Sequence, residues 1–133
     1  TDGPALRAAL AAVAVSLTVG IATTAHGEAP SVGKRAYQKC YSCHSTEPHE
    51  NDLEGPSLHG VVGRKIASEP GYDYSPAMRG FAAKHPRWTP ELIDRFIADP
   101  ATVVPKTRMS FPGMRDPKER AALIEYLRSL ADR

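Results

Sequence analysis

The two cysteines of this chain stand three residues apart, and a histidine follows the second at once: Cys40-Tyr41-Ser42-Cys43-His44. On a helix, positions i, i+3 and i+4 share one face, so both thiols and the imidazole point to the same side. With no other cysteine in the chain, a structural zinc site would lack a full ligand set. A disulfide between residues three apart in a helix has poor geometry. A dithiol redox site of this spacing belongs in a βαβ context, which is absent here. A thiol pair at this spacing can instead add across the two vinyl groups of a haem, with the adjacent imidazole over the iron. C-x-x-C-H is the sequence cue for that attachment.

A covalent cofactor also suits the size of the chain. Residues 8–25 carry no charge, Arg7 precedes them, and Ala25-His26-Gly27 fits a small-x-small cleavage site. Residues 1–27 therefore read as a secretory signal peptide, with an uncleaved membrane anchor as the alternative. Residues 28–133 form the expected domain. A domain of that length builds only a small core and often needs a staple. Twelve prolines and ten glycines in the chain argue for much loop. The net charge is +2, and it stays +2 without the leader, which removes only Asp2 and Arg7. No basic patch is visible, which argues against nucleic acid as a partner.

Four helices are expected. The first runs from about Val32 through Cys43, capped by Ser31, with Gly33 weakening its start. The second begins with Ser75 as cap and Pro76 in the first position, and Ala77, Met78, Phe81 and Ala82 form an apolar face. The third begins with Thr89 and Pro90, carries Leu92, Ile93, Phe96 and Ile97 at helical spacing, and ends at Asp99-Pro100. The fourth begins at Asp116-Pro117, with Glu119 completing a capping-box pattern, and repeats Leu123, Tyr126, Leu127 and Leu130. Loops over 45–74 and 101–115 separate these helices. Long loops of this kind are expected to wrap a large flat ligand from two sides.

An iron held by one histidine can take a second axial ligand, and His/Met ligation suits electron transfer. Met78 lies on a helix face, where core filling is the simpler role. Met109 and Met114 both lie in the proline-bounded stretch 105–114, and spacing alone barely separates them.

With these features in place, the chain resembles the class I monohaem cytochromes c, of the mitochondrial and short-chain bacterial soluble type. Besides 40–44, the resemblance rests on Gly55-Pro56-Ser57-Leu58-His59-Gly60, Gly63-Arg64-Lys65 and Pro70-Gly71-Tyr72-Asp73-Tyr74. It continues through Pro105-x-Thr107-x-Met109-x-Phe111-x-Gly113 and Arg120-x-x-Leu123-Ile124-x-Tyr126-Leu127. It implies an all-α cytochrome c fold with long loops around one covalently attached haem c. Cys40 and Cys43 would be the thioether anchors, and His44 and Met109 the axial ligands. The Pro56 carbonyl would accept a hydrogen bond from the His44 ring. Arg64, Tyr74, Trp88 and Thr107 match residues that hold the haem propionates, and Phe111 would pack at the haem edge.

The chain also departs from the pattern. Phe96 stands where the mitochondrial type has tyrosine, and Met78 replaces a usual asparagine. Gly33 is one residue closer to Cys40 than usual, and Tyr37 is one position nearer than the usual aromatic. The lysine ring is thinned: Lys39, Arg108 and Arg115 remain, but Leu53 and Ala101 stand at lysine positions. Electrostatic steering is therefore expected to be weak.

The implied function is one-electron transport in a periplasmic respiratory or photosynthetic chain, without enzymatic chemistry. The expected partners are a quinol-cytochrome c reductase, a terminal oxidase or a periplasmic dehydrogenase, met by a monomer. A membrane enters only if the leader is retained. The alternatives are an open-site haem sensor or peroxidase-like protein, and a haem subunit of a larger oxidoreductase.

Overall fold

Helix starts in this chain are written in short polar side chains followed by proline. The computed structural model, which describes residues 31–132, uses them as such. The expected signal peptide, residues 1–27, lies outside the described residues. The helices are α1 Val32–Ala36, α2 Pro76–Lys84, α3 Pro90–Ala98, α4 Pro100–Val103 and α5 Pro117–Leu130. Four of the five begin with proline, which gives up no helical hydrogen bond there. Ser31, Ser75, Thr89, Asp99 and Asp116 cap them, each accepting a backbone N–H from the first turn. The fold is all-α, with no strand among the described residues; Lys65 and Arg87 make one isolated bridge.

Three expectations need correction. The first α-helix ends at Ala36 rather than running to Cys43. A 3₁₀ turn over Tyr37–Lys39 takes over and leads into hydrogen-bonded turns across the cysteine motif. Among the described residues there are five α-helices rather than four, because Asp99 ends α3 and at once caps α4, which occupies the start of the expected loop 101–115. Glu119 does not complete a capping box in the way expected: its carboxylate takes the ammonium of Lys39 at 2.6 Å, and Asp116 accepts from the Lys118 N–H.

The core lies between α3 and α5, with α1 laid across α5. Leu92, Ile93, Phe96 and Ile97 are buried from α3, and Leu123, Ile124, Leu127 and Leu130 from α5. The α3 set is the one read in the sequence; on α5, Ile124 joins the core and Tyr126 is only partly buried. The glycine that weakens α1 has a packing reason. A Cβ on Gly33 would lie 2.6 Å from the Tyr126 Cβ and collide with the Ala122 carbonyl, so only glycine lets the two backbones approach this closely. Beside that crossing, the rings of Tyr37 and Tyr126 sit 5.8 Å apart.

Helix α2 differs from the others. Its Ala77, Met78, Phe81 and Ala82 pack partly on the core, yet none of its residues is buried.

Candidate haem site

The motif 40–44 closes on itself through one carbonyl. The Cys40 oxygen accepts from the N–H of Cys43 at 3.0 Å and of His44 at 2.9 Å. Both thiols are free. Cys43 is exposed and Cys40 half-buried. Burial, with the Cys43 thiol as a lesser cause, pushes the Cys40 thiol up to about 11, so at neutral pH it is a protonated thiol.

His44 is held on two sides. Its Nδ1 lies 2.8 Å from the Pro56 carbonyl oxygen. A carbonyl only accepts, so Nδ1 carries the proton and the Nε2 lone pair is left for a metal. Burial and then the charge of Arg64 push the imidazole below its ordinary value of 6.5, while the bond to Pro56 opposes this. The ring rests flat against backbone: a Cβ on Gly55 would lie 2.6 Å from Nδ1 and overlap the rest of the ring. Gly55 and Pro56 act together, one leaving room for the imidazole and the other fixing its tautomer. Gly55 N–H also bonds the Cys43 carbonyl at 2.7 Å, which ties this loop to the motif.

Met109 is half-buried against the hydrophobic core, as are Cys40 and Phe111. Its backbone N–H donates to the Thr107 hydroxyl at 3.2 Å, so Thr107 braces the methionine from within its own loop. Thr107 N–H in turn reaches the Val104 carbonyl at 3.0 Å, and Arg108 donates to the Asp73 carbonyl at 2.6 Å. Met114 has a different position. It is fully buried in the core, and its N–H bonds the Ile97 carbonyl.

Arg64 and Tyr74 meet at the buried residue Glu69, Arg64 at its carboxylate and Tyr74 at its backbone. Arg64 Nη1 donates to Glu69 at 3.0 Å and to the carbonyls of Ser57 and His59. The Tyr74 hydroxyl accepts the Glu69 N–H at 3.1 Å, and burial raises its phenol above 10.0. Trp88 is buried in an aromatic row, 5.1 Å from Phe96 and 6.0 Å from Phe81, and its backbone N–H donates to the Arg64 carbonyl. Phe96, the departure at the usual tyrosine, thus has a packing role beside Trp88.

The donor set and the half-buried apolar residues Leu58, Met78, Phe81, Met109 and Phe111 together fit a haem. Two contributors escape a sequence reading. Tyr37 donates its hydroxyl to the His44 carbonyl across seven residues. Glu69 finds its partners five to twenty residues away, and nothing in its local sequence marks it as buried.

Comparison with known proteins identifies the family. Residues 31–131 match the family model described as "Cytochrome c". The chain is 41% identical over 104 residues to a cytochrome c2 of Rhodopila globiformis, covering 76% of this chain and 92% of that relative. It is 33% identical over 118 residues to a cytochrome c2 of Rhodomicrobium vannielii, covering 89% and 91%. Among solved structures, cytochrome cH from Methylobacterium extorquens aligns with a TM-score of 0.66 at 35% identity, covering 74% of this chain and 95% of that one. Cytochrome c2 from Rhodospirillum centenum aligns with a TM-score of 0.68 at 29% identity, with the same coverage.

Proposed function

The chain belongs to the cytochrome c family, which carries one covalently attached haem c, and from that membership we propose a one-electron carrier with the iron closed by His44 and Met109. The observation that carries the reading is the His44 ring. Pro56 holds its proton at Nδ1 and Gly55 lets it lie against backbone, so Nε2 is presented as a neutral ligand. Cys40 and Cys43 are the thioether anchors. Met109 supplies the second axial ligand, favoured over Met114 because Met114 is used up in the core.

The haem, when bound, supplies the one-electron couple. The residues around it keep the change small. Thr107 and the Arg108–Asp73 contact brace the methionine loop, so Met109 would be held in place whichever oxidation state a bound haem took. Leu58, Met78, Phe81 and Phe111 keep water from the cofactor. Arg64, Tyr74, Trp88 and Thr107 are the residues we assign to the propionate side. With both axial sites closed, no substrate binds the metal, and the protein is a carrier rather than an enzyme.

The leader-like residues 1–27 support export, and a c-type haem attached after export supports a periplasmic carrier. Among the described residues, no helix is long and apolar enough to cross a membrane. The partners would be a quinol-cytochrome c reductase, a terminal oxidase or a periplasmic dehydrogenase.

The optical spectrum of the holoprotein tests the reading. The ferric form should show the weak long-wavelength methionine-to-iron band, and the ferrous form should ignore carbon monoxide. A missing band together with ready carbon monoxide binding would turn the protein into an open-site sensor or peroxidase-like haem protein.

A further inference from the structure

We propose that the open groove beside Cys43 is the face on which a redox protein docks, and that this partner's own docking face is basic. This rests on the carrier reading above and adds the chemistry of the partner.

The groove encloses about 490 Å³ and is walled by Ser42, Asp52, Leu53, Glu54, Tyr72 and Arg108 among others. Ser42 stands between the two cysteines, its hydroxyl 3.7 Å from the exposed Cys43 sulfur. Arg108 directly precedes Met109. The groove therefore opens where the cysteine motif and the methionine loop both reach the surface. A carrier gains from docking there, because an anchor and a ligand of its cofactor lie at that surface.

The walls are already tied together. Tyr72 donates its hydroxyl to the Glu54 carbonyl at 2.7 Å, and Asn51 Nδ2 donates to the Pro70 carbonyl at 2.9 Å. Arg108 closes the remaining side on the Asp73 carbonyl at 2.6 Å. A preformed face loses little freedom when a partner binds.

Two features select the partner. The first is apolar. Tyr41, beside Ser42, is 58% exposed, and Leu53 is 42% exposed. The other exposed large hydrophobic among the described residues, Val32, lies on α1. Docking faces combine an apolar centre with a polar rim, and encounters between electron carriers bury less than about 1,200 Å². A small centre of this kind is therefore enough.

The second feature is charge. Residues 40–63 contain Glu47, Glu50, Asp52 and Glu54 but no lysine or arginine. All four acids are exposed, and none makes an ion pair among the described residues. The basic side chains nearby are engaged: Arg79 pairs with the Asp73 carboxylate at 2.7 Å, and Arg108 holds the Asp73 carbonyl. The whole chain carries a net charge of +2, so this face has the opposite sign to the total. At contact range the facing patch decides attraction, not the total. Lysine and arginine side chains of a partner match the acidic rim and can stack on the open Tyr41 ring. An acidic partner is repelled from the same rim.

Stopped-flow oxidation of the ferrous holoprotein by the tris(phenanthroline)cobalt(III) cation tests this, since that oxidant is cationic with apolar faces. One electron passes from the carrier to cobalt, which becomes cobalt(II). The wild-type rate should fall at least about threefold between about 0.01 and 0.5 M salt. The double variant Asp52→Asn/Glu54→Gln should lower the low-salt rate about threefold or more. The double variant Glu91→Gln/Glu125→Gln makes the same change in net charge on α3 and α5, and should stay within about twofold of wild type. A pentalysine peptide at low salt should shift the amide resonances of Tyr41, Leu53 and Glu54 in wild type, and much less in the first variant. A cation rate indifferent to salt, equal losses in the two variants, or peptide shifts centred elsewhere would each overturn the proposal. Failure of the carrier reading is read separately in the same samples, as a missing methionine band or carbon monoxide binding by the wild type.

Discussion

Tyr37 donates its phenolic hydrogen to the carbonyl oxygen of His44 at 2.6 Å. The bond spans the cysteine motif from the end of the first helical stretch to the histidine. Burial raises the phenol above its ordinary 10.0, so it remains a donor at neutral pH. Tyr37→Phe keeps the ring contact with Tyr126 and removes the hydroxyl, with this bond and its contact to Thr46. The loss should be about 1 kcal/mol. A guanidinium titration would read it as a lower midpoint with an unchanged slope. An unchanged midpoint would mean that water replaces the phenol without cost.

Met109 and Met114 should fail in opposite ways. Met114 is 2% exposed and packs in the core, so Met114→Ala should cost about 2–5 kcal/mol while keeping the long-wavelength band. Met109→Ala should abolish the band and admit carbon monoxide, with a smaller loss of packing because Met109 is only half-buried. Thermal unfolding and the optical spectrum, recorded on both variants, separate the two roles. A band that survives Met109→Ala would exclude it as the ligand.

Helix starts were legible in the sequence because their causes are local. Ser31, Ser75, Thr89 and Asp116 each reach an N–H two or three residues on. The core faces of α3 and α5 were legible for the same reason, since a period of 3.6 is a local pattern. The first helix was misread because its end depends on geometry that no local signal carries. Tyr37 must turn out of the helix to reach His44, and the tightening into a 3₁₀ turn accompanies that reach. The α4 turn was hidden behind Asp99-Pro100, which reads as a stop and is also a start. At the site, the donor spacing and the Gly55-Pro56 pair were visible. Glu69 was not, because a buried acid is defined by partners that the fold brings from elsewhere.

His44 gives the site an acid limit. Its folded value is lowered, so below 6.5 the unfolded chain binds a proton that the folded chain resists. Unfolding then takes up protons, and stability falls as pH drops below about 6.5. Above that value the stabilising contribution is fully present. A metal on Nε2 would oppose the proton further, so the direction holds in the holoprotein: an acid titration followed by the methionine band and by far-ultraviolet dichroism should show stability lost only as pH falls below about 6.5 and more steeply with further acidification. His44 cannot be the group responsible if the loss begins only in the carboxylate range, near about pH 4.

The basic residues left around the haem edge are partly spent. Lys39 pairs with Glu119 at 2.6 Å, and Arg108 donates to the Asp73 carbonyl. Leu53, at a usual lysine position, is 42% exposed and uncharged. Long-range steering needs a one-signed field, and surface charges already paired contribute little to one. Electron-transfer rates with an anionic oxidant such as ferricyanide should therefore fall less than about tenfold between about 0.01 and 0.5 M salt. Stopped-flow mixing measures this directly. Lys39 offers a further check: Glu119→Gln frees its ammonium and should steepen the salt dependence with the anion. A steep fall already present in the wild type would mean that Lys39 and Arg108 act on approaching partners despite their internal contacts.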